Sequence, residues 1–155
     1  MADPVGLAAS IIGLVAVASE VSKLCYNYFS EVTNAREDVA QLISEISSLA
    51  SLLEPLSTPA EASKISQSDP HLMSRLVRQC TEMLEHLQAE LQCQLNKQSD
   101  SRTRNLVGSL KTSLKWPFKK EDTQSRIQKI ERLKTTVTLK LQLWVAHILF
   151  LYTPC

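Results

Sequence analysis

Apolar side chains recur along this chain with the spacing of a helix. Within residues 36–53 and 70–95 they return every three or four positions, and residues 121–142 repeat that spacing. Residues 4–33 begin with a long apolar run and continue as one helical stripe. No stretch of alternating polar and apolar residues predicts a strand, and no turn motif predicts a hairpin. The sequence therefore predicts an all-α fold, a helical bundle of four long helices plus one short helix near residues 106–116.

Capping residues indicate where these helices begin. Asp3 and Asp69 are each followed by proline, and an acidic cap before a proline is typical of a helix start. Residues 34–37, Asn-Ala-Arg-Glu, resemble a capping box and predict the start of the second helix.

Prolines and polar runs indicate where the helices end. Pro55 is expected to end the second helix, and the Ser- and Pro-rich residues 55–69 predict an exposed loop. The polar residues 99–104 predict a turn after the third helix. Pro117 is expected to break the short helix, so that the last helix begins near Glu121.

The first helix carries no charge between Pro4 and Ser19 and is apolar on every face. This run is slightly shorter than the ~20 residues of a membrane span, so we expect the helix to occupy the centre of a soluble bundle. The alternative is a helix that leaves the bundle and contacts lipid or a partner. Its candidate contact residues are Val5, Leu7, Ile11, Ile12, Leu14 and Val15.

Length and charge refine this interpretation. A chain of 155 residues favours one domain with its own core, and only three glycines argue against an all-β fold.

The charges are unevenly distributed along the chain. Residues 1–96 hold five Lys or Arg and twelve Asp or Glu, whereas residues 97–155 hold twelve Lys or Arg and four Asp or Glu. Two halves of opposite charge are expected to attract each other or to solvate helix faces. The alternative is a basic surface for anionic lipid, with Lys111, Lys115, Lys119 and Lys120 as candidate contacts.

Trp116 and Phe118 lie between these lysines, on both sides of Pro117. Aromatic residues among lysines occur at membrane interfaces. We favour the other interpretation, in which the two rings fix the bend at Pro117 in the core.

Candidate chemistry is sparse. Cys25 and Cys80 fall on apolar helical stripes and are expected to be small buried side chains, and no CxxC or Cys–His pair has metal-ligand spacing. The three histidines are far apart, and no phosphate loop, GxGxxG, HExxH or GxSxG motif is present. We therefore expect no enzyme, no metal or cofactor site, no small-molecule substrate and no nucleic-acid partner.

Three stretches resemble one known family: residues 1–23, residues 35–56 and residues 106–142. The most specific part is Lys-Trp-Pro-Phe at 115–118, followed by a charged helix with Leu-Lys-Thr-Thr at 133–136. Together they resemble the fungal N-terminal domain of STAND proteins, the family of the azaphilone pigment biosynthesis cluster protein L N-terminal domain. They are more distantly similar to HeLo-like helical domains of fungal cell-death proteins. The resemblance implies a helical module that precedes a nucleotide-binding oligomerisation domain and a repeat-based sensor.

The resemblance also implies a division of the chain and a function. Residues 1–142 form the helical N-terminal signalling domain, and the apolar residues 143–155 depart from the family pattern. We expect a cytoplasmic interaction module that associates with protein partners or with itself through its helices. One alternative is a HeLo-like effector whose first helix attacks an anionic membrane on activation. Another is an accessory protein of a secondary-metabolite cluster.

Overall fold

The computed structural model describes residues 3–32, 34–67, 69–104 and 115–153. Within these ranges the chain is helical and contains no strand, which confirms the predicted all-α class. The predicted short helix at 106–116 lies almost wholly outside the described residues. The elements are α1 (Pro4–Glu31), α2 (Arg36–Leu53), a single 3₁₀ turn (Glu54–Leu56), α3 (Pro59–Ser66), α4 (Pro70–Arg104) and α5 (Lys120–Tyr152).

Two of the three predicted caps are confirmed. The Asp3 carboxylate accepts a hydrogen bond of 3.0 Å from the amide of Val5, and the Asp69 carboxylate accepts one of 3.0 Å from Leu72. The predicted capping box at the start of α2 is wrong, because Ala35 is the capping residue and has no side chain that can accept a bond. The Asn34 side chain instead accepts a bond of 3.2 Å from the amide of Trp116.

The predicted exposed loop at residues 55–69 is wrong, because most of it is the 3₁₀ turn and α3. The Thr58 hydroxyl caps α3 by accepting a bond from the amide of Glu61, and Pro59 occupies the first turn. Ala62 and Ile65 are completely buried. α3 is short and places only two apolar side chains in the core, so its sequence shows no clear helical spacing of apolar residues. For this reason α3 was not predicted.

The predicted turn at residues 99–104 is also wrong, because α4 continues through Arg104. Its last buried residue that the structure describes is Leu91, so the final turns extend beyond the core. The polar composition of residues 99–104 predicted a turn, but a helix can also be built from residues of this kind.

The long helices pack as a four-helix bundle. α1 packs against α2 and α4, and α5 packs against the same two helices, so that α1 and α5 occupy opposite corners. α3 closes one end by contacting α1, α4 and α5. At the other end the Tyr28 hydroxyl approaches the carbonyl oxygen of Leu91 at 3.5 Å.

The core is built from aliphatic side chains that all of these helices contribute. Burying each large apolar side chain contributes about 1.5–3 kcal/mol relative to leaving it in water, so the bundle is held mainly by this core. Cys25 and Cys80 are buried in it, as predicted. The largest completely buried side chains are Tyr28, Ile11, Leu14, Leu42, Ile46, Leu49, Leu53, Ile65, Met73, Leu84, Leu87 and Leu91.

Candidate interaction surfaces

The six candidate residues of α1 are divided between the core and the surface. Leu7, Ile11 and Leu14 lie in the core. Val5 and Ile12 are 59% and 54% exposed, and Val15 is half-buried. The expectation that α1 is covered on every side is therefore wrong. The helix occupies a corner of the bundle, and a corner helix has neighbours on only part of its circumference.

The exposed side of α1 forms a continuous uncharged surface, which we call the α1 outer face: Val5, Ala9, Ile12, Gly13 and Ala16. A methyl group added at Gly13 would meet no other atom within 4 Å. Glycine in a helix interior costs about 1 kcal/mol relative to alanine. Packing inside this chain therefore does not require a glycine at position 13. A second helix packed closely against the α1 outer face would require one.

The second apolar surface is the last part of α5, which we call the α5 end, residues 143–152. Leu143, Leu149 and Leu151 are each more than 60% exposed, and Phe150 is 81% exposed. The sequence indicated only that this apolar segment departs from the family pattern, because composition does not show whether a neighbour covers it.

An open apolar groove of about 380 Å³ runs beside the α5 end. Leu52 of α2 forms one wall, and Leu141, Val145 and Leu149 of α5 form much of the other. On the neighbouring side the ammonium of Lys64 lies 4.5 Å from the centre of the Trp144 ring.

The predicted basic surface is only partly described. Lys115, Lys119 and Lys120 are exposed next to the start of α5, and Lys111 lies outside the described residues. Leu143, the first residue of the α5 end, follows Lys120 by 23 residues in the same helix, so Lys120 is ~35 Å from the nearest part of the α5 end.

The aromatic residues among these lysines face the core. Trp116 is buried, and its ring contacts Tyr28 and Phe118 edge to face at centroid distances of 5.9 and 5.2 Å. Its indole nitrogen donates a hydrogen bond of 3.0 Å to the hydroxyl of Thr123, which is completely buried. The favoured interpretation, that aromatic side chains fix the bend, is confirmed.

A polar cleft of about 730 Å³ separates parts of α4 and α5, and sequence analysis did not find it. Arg126, Lys129 and Arg132 line it together with the acidic Glu82 and Asp122. This mixed lining resembles a solvated groove more than a site for one charged ligand.

Arg126 has an unusual environment. Its guanidinium carbon lies 4.1 Å from the centre of the Phe118 ring, and its Nη1 atom is buried without a hydrogen-bond partner. Burial lowers the pKa of Arg126, while the nearby carboxylates of Asp122 and Glu90 oppose that change. The aromatic contact stabilises the cation that burial disfavours.

A partly buried ion pair links the acidic and basic parts of the chain. The ammonium of Lys134 on α5 lies 2.8 Å from the carboxylate of Glu45 on α2, and both side chains are less than one quarter exposed. The side-chain amide of Gln124 on α5 also donates a bond of 3.2 Å to Asp38. These contacts support the interpretation that the two halves attract each other.

The buried titratable groups are held in their neutral forms. Burial raises the pKa of Cys25 to about 12 and that of Cys80 to about 11. The pKa of Tyr28 also rises to about 12, first because of burial and then because of the nearby Glu90. Over the residues that the structure describes, no group of three or more His, Cys, Asp or Glu could hold a metal ion.

In the part of the chain that the structure describes, two helices are long and apolar enough to cross a membrane, judged by length and composition alone. They are α1 (Pro4–Glu31) and α5 (Lys120–Tyr152). The core helix of a soluble protein passes the same test, so this finding does not locate the protein in the cell.

Comparison with known proteins gives one match. The model of the family described as pigment biosynthesis cluster protein PigL N-terminal matches residues 2–147. No curated protein and no solved structure matches.

Proposed function

The chain belongs to the PigL N-terminal family, and on that premise we propose that it is a non-enzymatic, cytoplasmic interaction and signalling module that associates with protein helices. The observation that carries this proposal is the α1 outer face. Val5 and Ile12 are more than half exposed on a helix whose first sixteen residues carry no charge. A contiguous apolar surface of this kind is typical of a protein contact.

Gly13 supports the same proposal. It lies next to Ile12 on the outer face and has open space around it. A glycine or alanine at such a position lets the backbone of a second helix approach closely. The natural occupant of the face is therefore another helix, from a second copy of the chain or from a partner domain.

The test is the mass of the full chain in solution as a function of concentration, measured by light scattering. Association is expected for the natural sequence, and Ile12→Glu should reduce it at least tenfold, because a carboxylate would be buried in an apolar contact. Gln128→Glu adds the same charge at an exposed position on α5 and is the matched control. A natural chain that stays monomeric at every concentration and captures no partner helix would contradict the proposal.

A membrane-active effector is the second candidate, because α1 has the length and composition of a membrane-spanning helix. Releasing α1 would expose its buried residues, so this action needs a trigger that offsets the loss of core packing. Leu14→Glu is a poor test, because Leu14 is completely buried and a charge there would disrupt the bundle. Leakage from anionic vesicles that is unchanged by Ile12→Glu would argue against it.

The accessory role in secondary metabolism rests on the family description, which refers to a pigment biosynthesis cluster. Genomic neighbourhood tests this role directly. A gene far from any biosynthetic cluster would leave the interaction module as the better proposal.

A further inference from the structure

The last turn of the α5 end, residues 149–152, differs from the α1 outer face because it is exposed on every side. Successive helix residues are about 100° apart, so four consecutive residues cover a full turn. Leu149, Phe150, Leu151 and Tyr152 are such a turn, and each is more than 60% exposed. Apolar side chains therefore point in all directions around this part of the helix.

This arrangement limits what can cover the α5 end. A groove in a protein covers one face of a helix and leaves the opposite face in water. Lipid surrounds a helix, and the hydrocarbon of a bilayer accepts apolar side chains in every direction. The exposed groove beside Leu52 accounts for only one side of the α5 end.

The chemistry and length of the segment agree with lipid. The α5 end contains no Asp, Glu, Lys or Arg. The ten residues of the α5 end, from Leu143 to Tyr152, extend ~15 Å, and one leaflet contributes about 15 Å of hydrocarbon. Trp144 lies near the base of this segment with the Lys64 ammonium against its ring, as amphipathic side chains do at a membrane surface.

We propose that the α5 end inserts into one leaflet of a lipid bilayer while the four-helix bundle stays folded. Insertion requires no anionic lipid. The exposed Lys115, Lys119 and Lys120 are at the other end of α5, far from the inserted residues. This site is separate from the α1 outer face, so either proposal can fail without the other.

The experiment is flotation of the full chain with vesicles of phosphatidylcholine alone and with vesicles that also contain phosphatidylserine. Binding to both is expected, with affinities within about threefold. Leu149→Glu and Phe150→Glu should each weaken binding at least tenfold. Tyr26→Glu replaces a large side chain that is 60% exposed on α1, outside the α1 outer face, and should leave binding unchanged, so it is the matched control. Circular dichroism checks that each variant is folded.

Quenching of tryptophan fluorescence by brominated lipids gives a second measurement. Trp144 should be quenched most strongly by bromine close to the headgroups, whereas Trp116 is buried in the bundle and should contribute a constant background. Three results would overturn the proposal: no flotation with either vesicle, flotation only with phosphatidylserine, or equal binding by Leu149→Glu. A soluble oligomer that Leu149→Glu dissociates, without vesicle binding, would identify a second copy as the occupant instead.

Discussion

α1 and α5 each contain a long apolar segment, but the surroundings of the two segments differ. Both are long and apolar enough to cross a membrane, yet 33% of the most apolar segment of α1 is buried and only 6% of that of α5. α1 places its large aliphatic residues against α2, α3 and α4. α5 does the same only as far as Val137, its last buried residue. Beyond it, Leu141, Trp144 and Ile148 are half-buried, and the last turn is exposed. A long apolar segment therefore builds the core in one helix and forms an exposed apolar surface in the other.

The largest expected effect comes from comparing the same Leu→Ala substitution in α1 and in α5. Leu14→Ala should lower the free energy of unfolding by about 2–5 kcal/mol, because it leaves a cavity in the core. Leu149→Ala removes the same atoms from an exposed position and should change it by less than about 0.5 kcal/mol. Urea unfolding followed by circular dichroism measures both. Similar losses for the two variants would show that the α5 end is packed in the folded chain.

The next effect separates the buried and exposed parts of α5. Thr123→Val should cost about 1–3 kcal/mol, because the buried indole N–H of Trp116 would lose its acceptor. Thr138→Val is the control, since the Thr138 hydroxyl is exposed and only donates to the carbonyl of Lys134 in its own helix. The same unfolding measurement applies, and a neutral Thr123→Val would show that the indole is not buried.

A smaller effect concerns the pH dependence of the α1 core. Cys25 ionises with a pKa of about 12 when folded and near 9 when unfolded, so the unfolded state loses its proton first. The protonated Cys25 thiol makes its full contribution to the free energy of unfolding below pH 9. That contribution falls by roughly 1 kcal/mol per pH unit as the pH rises towards 12. Urea unfolding at pH 8 and pH 10.5 measures the loss, and Cys25→Ala should reduce it. A slope that Cys25→Ala leaves unchanged would contradict this assignment.

Alkylation of the same thiol reports whether α1 leaves the bundle. Cys25 should resist a maleimide reagent at pH 8, whereas Cys93 is exposed and should react. Mass spectrometry of the peptides distinguishes the two sites. Protection of Cys25 in the presence of vesicles would argue against release of α1.

The smallest effect lies in the connection between α1 and α2. Ala35 has a positive φ of 61°, which a side chain disfavours and glycine accepts. Ala35→Gly should change the free energy of unfolding by less than about 1 kcal/mol, because relief of strain offsets the added freedom of the unfolded chain. Ala35→Val should cost more, since a branched side chain is strained further. Equal thermal stability of the two variants would contradict this conformation.

Sequence analysis was most accurate where one residue or one period carries the signal. Asp3 and Asp69 were identified as caps from the proline that follows each, and the core residues of α2 from their regular spacing. It failed at α3, where the period is too short to detect, and at Asn34, whose side chain binds a backbone amide 82 residues away. The predicted boundary between residues 142 and 143 stays a prediction.

The candidate interaction surfaces were also only partly predictable from the sequence. The sequence indicated that Val5, Ile12 and Leu14 belong to an apolar helix but not that two of them are exposed and the third is buried. The exposed lysines near the start of α5 were also predictable, because charged side chains avoid the core. The environment of Arg126 was not, since it depends on where Phe118 lies in the fold.

The sequence by itself determined the helical class, most helix ends and the family, because period, caps and motifs are properties of neighbouring residues. The tertiary structure alone decided which apolar residues are covered. When a helix has hydrophobic residues on all sides, its sequence does not show which side faces the core. The lengths and positions of the surrounding helices decide which residues are exposed. For that reason Leu14 supports the core, whereas Leu149 is left for another surface to cover.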